Sequence, residues 1–215
     1  MPGLVAPDPT FELLKNKSPE PGLVTLRPVR AAVLALQGSV EPHLHALHSA
    51  GCDPIEVRTP DQLQEVTHLV LPGGESTTLR HLLDLHHLST TILERVQNGD
   101  LALLGTCAGA ILMGRDEGED PQRWSLIDVS VQRNAYGRQI HSFIAPVQWK
   151  SGPGSGESEG IFIRAPRLEQ PAPEVEILAV CGHEPVAVRQ NRCVACTFHP
   201  ELTADPRVHR WFLGL

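Results

Sequence analysis

No apolar run in this 215-residue chain reaches the length of a membrane span, and residues 1–30 carry no charged-then-apolar signal pattern. Positive charge is in deficit: 18 Lys and Arg stand against 25 Asp and Glu, a formal net charge of -7. That balance argues against a nucleic-acid surface and against binding to anionic membranes. A disulfide framework is missing too, because the cysteines at 52, 107, 181, 193 and 196 are odd in number and irregularly spaced. Cys193 and Cys196 form one C-x-x-C without a second pair, which fits packing of an apolar strand better than a zinc or redox site. A cytoplasmic, reducing location follows. There is no internal repeat and no interdomain linker. At 41% hydrophobic and 20% charged residues, the composition suits an ordinary globular domain with a core of its own.

Residues 1–28 hold six prolines and no sustained periodicity, and read as an extra or disordered leader ahead of a single domain at 29–215. Order is expected to begin with the apolar run Ala31–Leu36, a strand buried on both faces that ends at Gln37-Gly38. A helix over 40–50 with Leu44 and Leu47 inward, a strand at 55–57, a short helix at 61–66 and a strand at 68–71 follow. Helices over 75–88 and 90–98 then lead to a strand at 101–104. Such alternation predicts an α/β fold: a three-layer domain with a mostly parallel central sheet flanked by helices. Loops at the carboxyl ends of its strands should carry the chemistry, so Gln37-Gly38, Gly73-Gly74-Glu75-Ser76 and Gly105-Thr106-Cys107 should converge. Later segments (128–131, 143–147, 160–164, 176–180, 185–189 and 193–198) alternate like an antiparallel extension, with a polar loop at 151–160 and a final helix over 207–213.

Three stretches could carry catalysis. In Gly105-Thr-Cys107-Ala-Gly109 a cysteine sits among small residues between a strand and a helix, the thiol counterpart of the serine nucleophile elbow. A thiol at a helix N-terminus gains thiolate character from the dipole. The alternative is a buried structural cysteine beside packing glycines. His199-Pro200-Glu201 closes a strand, where positions i and i+2 share a side, so the carboxylate can orient the imidazole. Taken alone, it could equally be a surface feature. Gly73-Gly74 can turn a backbone N–H toward a substrate oxyanion, or simply make a turn; no Lys follows to make it a phosphate loop. The histidines at 43, 45, 48, 81, 86 and 87 read as solvated, although His45 and His48 share a helix face on which a metal can be imagined.

Leu36-Gln-Gly38, Pro72-Gly-Gly-Glu-Ser-Thr77, Gly105-Thr-Cys-Ala-Gly109 and Phe198-His-Pro-Glu201, in this order, resemble the triad (class I) glutamine amidotransferases. Asp128-Val, Arg133-Asn-Ala-Tyr-Gly-Arg-Gln139, Phe162-Ile-Arg-Ala-Pro166 and His199-Pro-Glu-Leu-Thr203 are similar to the glutaminase subunits of pyridoxal 5'-phosphate synthases. The resemblance spans about residues 29–215. It implies that Cys107 attacks glutamine, that His199 oriented by Glu201 moves protons, and that the N–H groups of Gly74 and Ala108 hold the oxyanion. It further implies glutamine binding by Gly74, Glu75, Ser76, Arg133, Ile163 and Arg164, and sensing of a synthase subunit through Gln37. Ammonia would pass to that partner, with no cofactor, metal, nucleic acid or membrane involved. A glutaminase serving another acceptor, or a silent regulatory subunit, are the alternatives; the 133–139 and 162–166 motifs disfavour the first and an intact triad the second.

Overall fold

The computed structural model describes residues 28–115, 123–133 and 142–215. Residues 1–27 of the expected leader and positions 134–139 of the arginine motif lie outside the described residues. In the first half, β1 (Ala31–Leu34), α1 (Val40–Ser49), β2 (Ile55–Val57), α2 (Pro60–Leu63) and β3 (His68–Leu71) follow one another. Then come α3 (Ser76–Leu85), α4 (Leu88–Gln97), β4 (Ala102–Thr106) and α5 (Ala108–Met113). The second half contains β5 (Ser130–Gln132), β6 (Phe143–Trp149), β7 (Gly156–Phe162), β8 (Arg167–Glu169), β9 (Glu176–Cys181), β10 (Glu184–Gln190) and β11 (Cys193–Cys196). A 3-10 turn (Pro200–Leu202) and α6 (Arg207–Phe212) close the chain.

Among the described residues nine strands form one sheet in the order β2-β1-β3-β4-β11-β10-β9-β6-β7, and β5 pairs with β8 apart from it. The β2-β1-β3-β4-β11 half is parallel, and the remainder is the expected antiparallel extension. The continuous apolar runs make sense once both faces are covered. Ala32, Leu34, Leu69, Leu71, Leu103 and Ala195 join the core shared with α2 to α5. Their neighbours Ala31, Val33, Val70, Leu104 and Val194 join the core shared with α1 and α6. Leu34, Leu69, Leu71, Leu103 and Leu104 have no exposed surface, and burying each contributes roughly 1.5–3 kcal/mol before entropic costs.

Several boundaries differ from expectation. The helix expected over 75–88 ends at Leu85, where His87 takes φ 55 and lets α4 start in a new direction. The polar stretch at 151–160 is not all loop: from Gly156 it is already β7, the sheet's edge strand, paired with β6 through Trp149↔Gly156. An edge strand is held by backbone hydrogen bonds and tolerates exposed polar side chains, so apolar alternation is a poor guide to where it begins. On α1 the buried residues are His43, Ala46 and Leu47, while Leu44 is only half-buried. His43 is therefore a core residue rather than a solvated one.

Candidate active site

Sequence-distant loops meet at the carboxyl ends of β1, β3, β4 and β11. Ser39 N–H donates to Gly73 O at 3.2 Å, and Cys107 N–H donates to Cys196 O at 2.9 Å. A Cβ on Gly38 would collide with the Gly73 carbonyl, and one on Gly73 would lie 2.5 Å from His199 Cε1 and 3.4 Å from Cys107 Cβ. Only hydrogen at those two positions lets the three segments come so close. With its C=O engaged by Ser39, the Gly73–Gly74 trans peptide directs the Gly74 N–H the opposite way.

The elbow bends later than Gly105. Gly105 and Thr106 remain in β4, and the break falls on Cys107 itself, at φ 47 and ψ -98, one residue before α5. A non-glycine residue at positive φ stores strain of order 1–3 kcal/mol and persists only when its surroundings impose it. Gly109 allows the close approach that does so: a Cβ there would meet the Leu71 carbonyl oxygen and lie 2.9 Å from Leu71 Cβ. Cys107 Sγ faces Ile163 O at 3.8 Å, and the next residue, Arg164, is also at positive φ, 44°. The two strained positions thus flank one cleft. Nothing in the sequence pattern marked the second.

His199 and Glu201 do meet, but not by strand alternation. The chain leaves β11, His199 adopts φ -108 and ψ 84, and Pro200 opens the 3-10 turn that carries Glu201 back. His199 Nδ1 lies 2.7 Å from Glu201 Oε1, with both side chains almost fully buried. His199 Nε2 has no hydrogen-bond partner among the described residues and is left for the thiol side. Burial by itself would lower the imidazole pKa. The neighbouring Cys107 sulfur and the hydrogen bond and charge of Glu201 outweigh it, raising the pKa to about 9. Burial would raise the Glu201 carboxyl, but His43 and the hydrogen bond and charge of His199 hold it below the ordinary carboxylate range.

Behind Glu201 lie residues that the sequence pattern did not single out. His43 Nε2 is 3.1 Å from Thr106 Oγ1 and 3.4 Å from Glu201 Oε2, and His43 Nδ1 is 2.9 Å from His209 Nε2. All three partners of His43 have buried side chains. The available signal was the i, i+3, i+4 spacing of His43, Ala46 and Leu47, which places them on one helical face.

A cleft of about 460 Å³ opens over Cys107 and His199, lined also by Gly74, Glu75, Ser76, Arg133, Ile163 and Arg164. Arg133 Nη1 reaches Thr77 Oγ1 at 3.4 Å. Glu75 is the N-cap of α3, its carboxylate accepting from Thr77 N–H at 3.2 Å and Thr78 N–H at 2.7 Å. The Thr78 N–H bond is the chief reason its carboxyl is held below the ordinary range. Gln37 and Ala108 are not among the cleft's lining residues. Gln37 Oε1 accepts from Glu75 N–H at 3.3 Å and its carboxamide lies against Gly74, while Ala108 is the buried residue directly after the thiol. Among the described residues no group of three or more His, Cys, Asp or Glu side chains could hold a metal ion.

Residues 33–214 match the sequence profile of the SNO glutamine amidotransferase family. Pyridoxal 5'-phosphate synthase subunit PdxT of Thermotoga sp. (strain RQ2) is 44% identical over 188 residues, covering 87% of this chain and 99% of that one. The PdxT of a Thermus thermophilus strain is 45% identical over 185 residues, covering 85% of this chain and 95% of its own. A solved glutamine amidotransferase superposes with a TM-score of 0.80 at 42% identity, covering 86% of this chain and 97% of that chain. With the thiol, imidazole and carboxylate gathered at one cleft, and with sequence and fold agreeing over nearly all of the domain, the chain belongs to the SNO glutamine amidotransferase family.

Proposed function

We propose that this amidotransferase is the glutaminase subunit of a pyridoxal 5'-phosphate synthase. It hydrolyses L-glutamine to L-glutamate and ammonia and delivers the ammonia to a synthase subunit. The observation that carries the reading is the thiol on a strained turn beside an imidazole bonded at 2.7 Å to a buried carboxylate. Such an imidazole holds its proton at neutral pH and can deliver it to a leaving group beside the thiol. Cys107 Sγ attacks the side-chain carboxamide carbon, and the N–H groups of Gly74 and Ala108 receive the oxyanion. His199 gives a proton to the departing nitrogen, leaving a γ-glutamyl thioester. It then takes a proton from water, whose oxygen attacks the thioester, and the Cys107 sulfur departs.

Arg133 and Arg164 suit the glutamine α-carboxylate. Glu75, held in place by its cap, suits the α-ammonium, and Ser76, Ile163 and the Gly74 backbone complete the site. A synthase subunit touching the Gln37 loop would reach Gly74 through the Gln37 carboxamide, which supports partner-dependent activity. Residues 29–215 form the glutaminase domain. We place the protein in the cytoplasm, in keeping with five free cysteines and, among the described residues, no helix long and apolar enough to cross a membrane.

Glutamate release from glutamine, measured with and without a synthase subunit, tests the reading. Weak release alone, a marked rise on adding the subunit, and loss of both in Cys107→Ala are expected. No release from the wild-type protein under either condition would refute it.

A further inference from the structure

The triad, as assigned above, uses one oxygen of Glu201. Its second oxygen, Oε2, is buried without a hydrogen-bond partner among the described residues, and the group facing it is His43 Nε2 at 3.4 Å. Two tautomer sets can satisfy the His43–His209 contact. If His43 Nδ1–H donates to His209 Nε2, a ring lone pair faces an anionic carboxylate. That set also leaves His209 with a buried Nδ1–H donor, although its Nδ1 has no partner among the described residues. An orphaned buried donor costs about 1–3 kcal/mol. In the opposite set, His209 Nε2–H donates to His43 Nδ1, and His43 Nε2–H donates to Thr106 Oγ1 at 3.1 Å with Glu201 Oε2 beside it at 3.4 Å. No ring N–H is then left without an acceptor, and both imidazole donors run toward the Thr106–Glu201 side.

Resting on the glutaminase reading, we propose that His43 is a positioning residue of the reaction. As a neutral imidazole in the Nε2–H form, its tautomer set by His209, it anchors the outer oxygen of Glu201 so that the inner oxygen stays on His199. Burial, the largest effect on each, keeps both rings uncharged, lowering the pKa of His43 to about 4 and of His209 to about 3. The anchor therefore acts at neutral pH as an N–H dipole rather than as a second cation. The titratable groups facing this network are Cys107 on His199; His199, His43 and Cys196 on Glu201; and His199 and His209 on His43.

Two measurements on the full chain test this, and neither depends on turnover. Ring-nitrogen NMR should show His43 as the neutral Nε2–H tautomer in the wild-type protein; the Nδ1–H form would overturn the proposal. In His43→Leu, Glu201 is free to turn, and the His199 titration midpoint should fall by about one unit or more, whereas His43→Gln, which keeps a donor near Nε2, should restore it. An unmoved midpoint in a folded His43→Leu protein would overturn the proposal; should that variant not fold, the wild-type tautomer decides alone. With the synthase subunit present, glutamate release by His43→Leu should lose about tenfold in kcat, a part of the 10²–10⁴ that general acid–base catalysis supplies, with KM for glutamine within about twofold. Absence of release from the wild-type protein would instead count against the glutaminase reading and leave the NMR results intact.

Discussion

Acidification should unfold this protein earlier than its carboxylates alone would require, because three histidines are buried uncharged. Burial is the main cause in each case, taking His43 and His68 from 6.5 to about 4 and His209 to about 3; the Arg192 charge adds to the effect on His68, and His199 and His43 to the others. A histidine whose folded pKa is depressed leaves stability whole above 6.5. Stability is then lost as pH falls toward the folded value, because the unfolded chain takes up the proton first. His199 has the opposite sign: raised to about 9, it contributes stability below 6.5 that is lost as pH rises through about 9, and it adds little slope between pH 6 and 5. Over that interval the three buried rings add about 2.5 equivalents of proton uptake on unfolding, or roughly 3 kcal/mol lost per pH unit. A domain of ordinary stability has about 5–15 kcal/mol in total, so the loss is large. Urea unfolding followed by far-ultraviolet circular dichroism at pH 7.5, 6.0, 5.5 and 5.0 measures it. His43→Gln should reduce the slope by about a third, since glutamine does not titrate. A fall of less than about 1 kcal/mol between pH 6 and 5 would refute the reasoning, because the folded protein would then be accepting those protons itself.

Other consequences concern the elbow and the cleft. Gly109→Ala gains about 1 kcal/mol of helix propensity but drives a methyl into the Leu71 backbone, an overpacking cost of up to about 3 kcal/mol. The net should be a Tm lower by about 4–8 °C, with glutamate release falling further because Leu71 leads into Gly73-Gly74; an unchanged or raised Tm in a melting scan would contradict the packing argument. Glu75→Ala removes the α3 cap, costing about 0.5–2 kcal/mol. It should also raise KM for glutamine, and steady-state kinetics showing an unchanged KM would remove Glu75 from the binding site.

How legible was this in the chain itself? The parallel half of the sheet was, because β1, β3 and β4 are buried on both faces and are apolar along most of their length, His68 and Thr106 at strand ends being the exceptions. The small residues around Cys107 were as well, since a tight strand-to-helix turn accepts little else. His199 and Glu201 were paired correctly for the wrong geometric reason: Pro200 starts a 3-10 turn instead of continuing the strand. Of the edge strand β7 only the end, from Gly160, was legible; its start at Gly156 was not, because the polar residues there answer to backbone pairing, which leaves no side-chain period.

Local pattern thus determined the strand–helix order, the nucleophile's turn and the existence of a histidine–carboxylate pair, each set by residues within a few positions of one another. Only the tertiary structure decided that β11 lies beside β4, which brings His199 to Cys107. It alone decided that His43 is buried, because the residue that covers its ring, His209, lies 166 positions away. A helix carrying three histidines looks solvated until another element packs on it, and no short window of sequence contains that element.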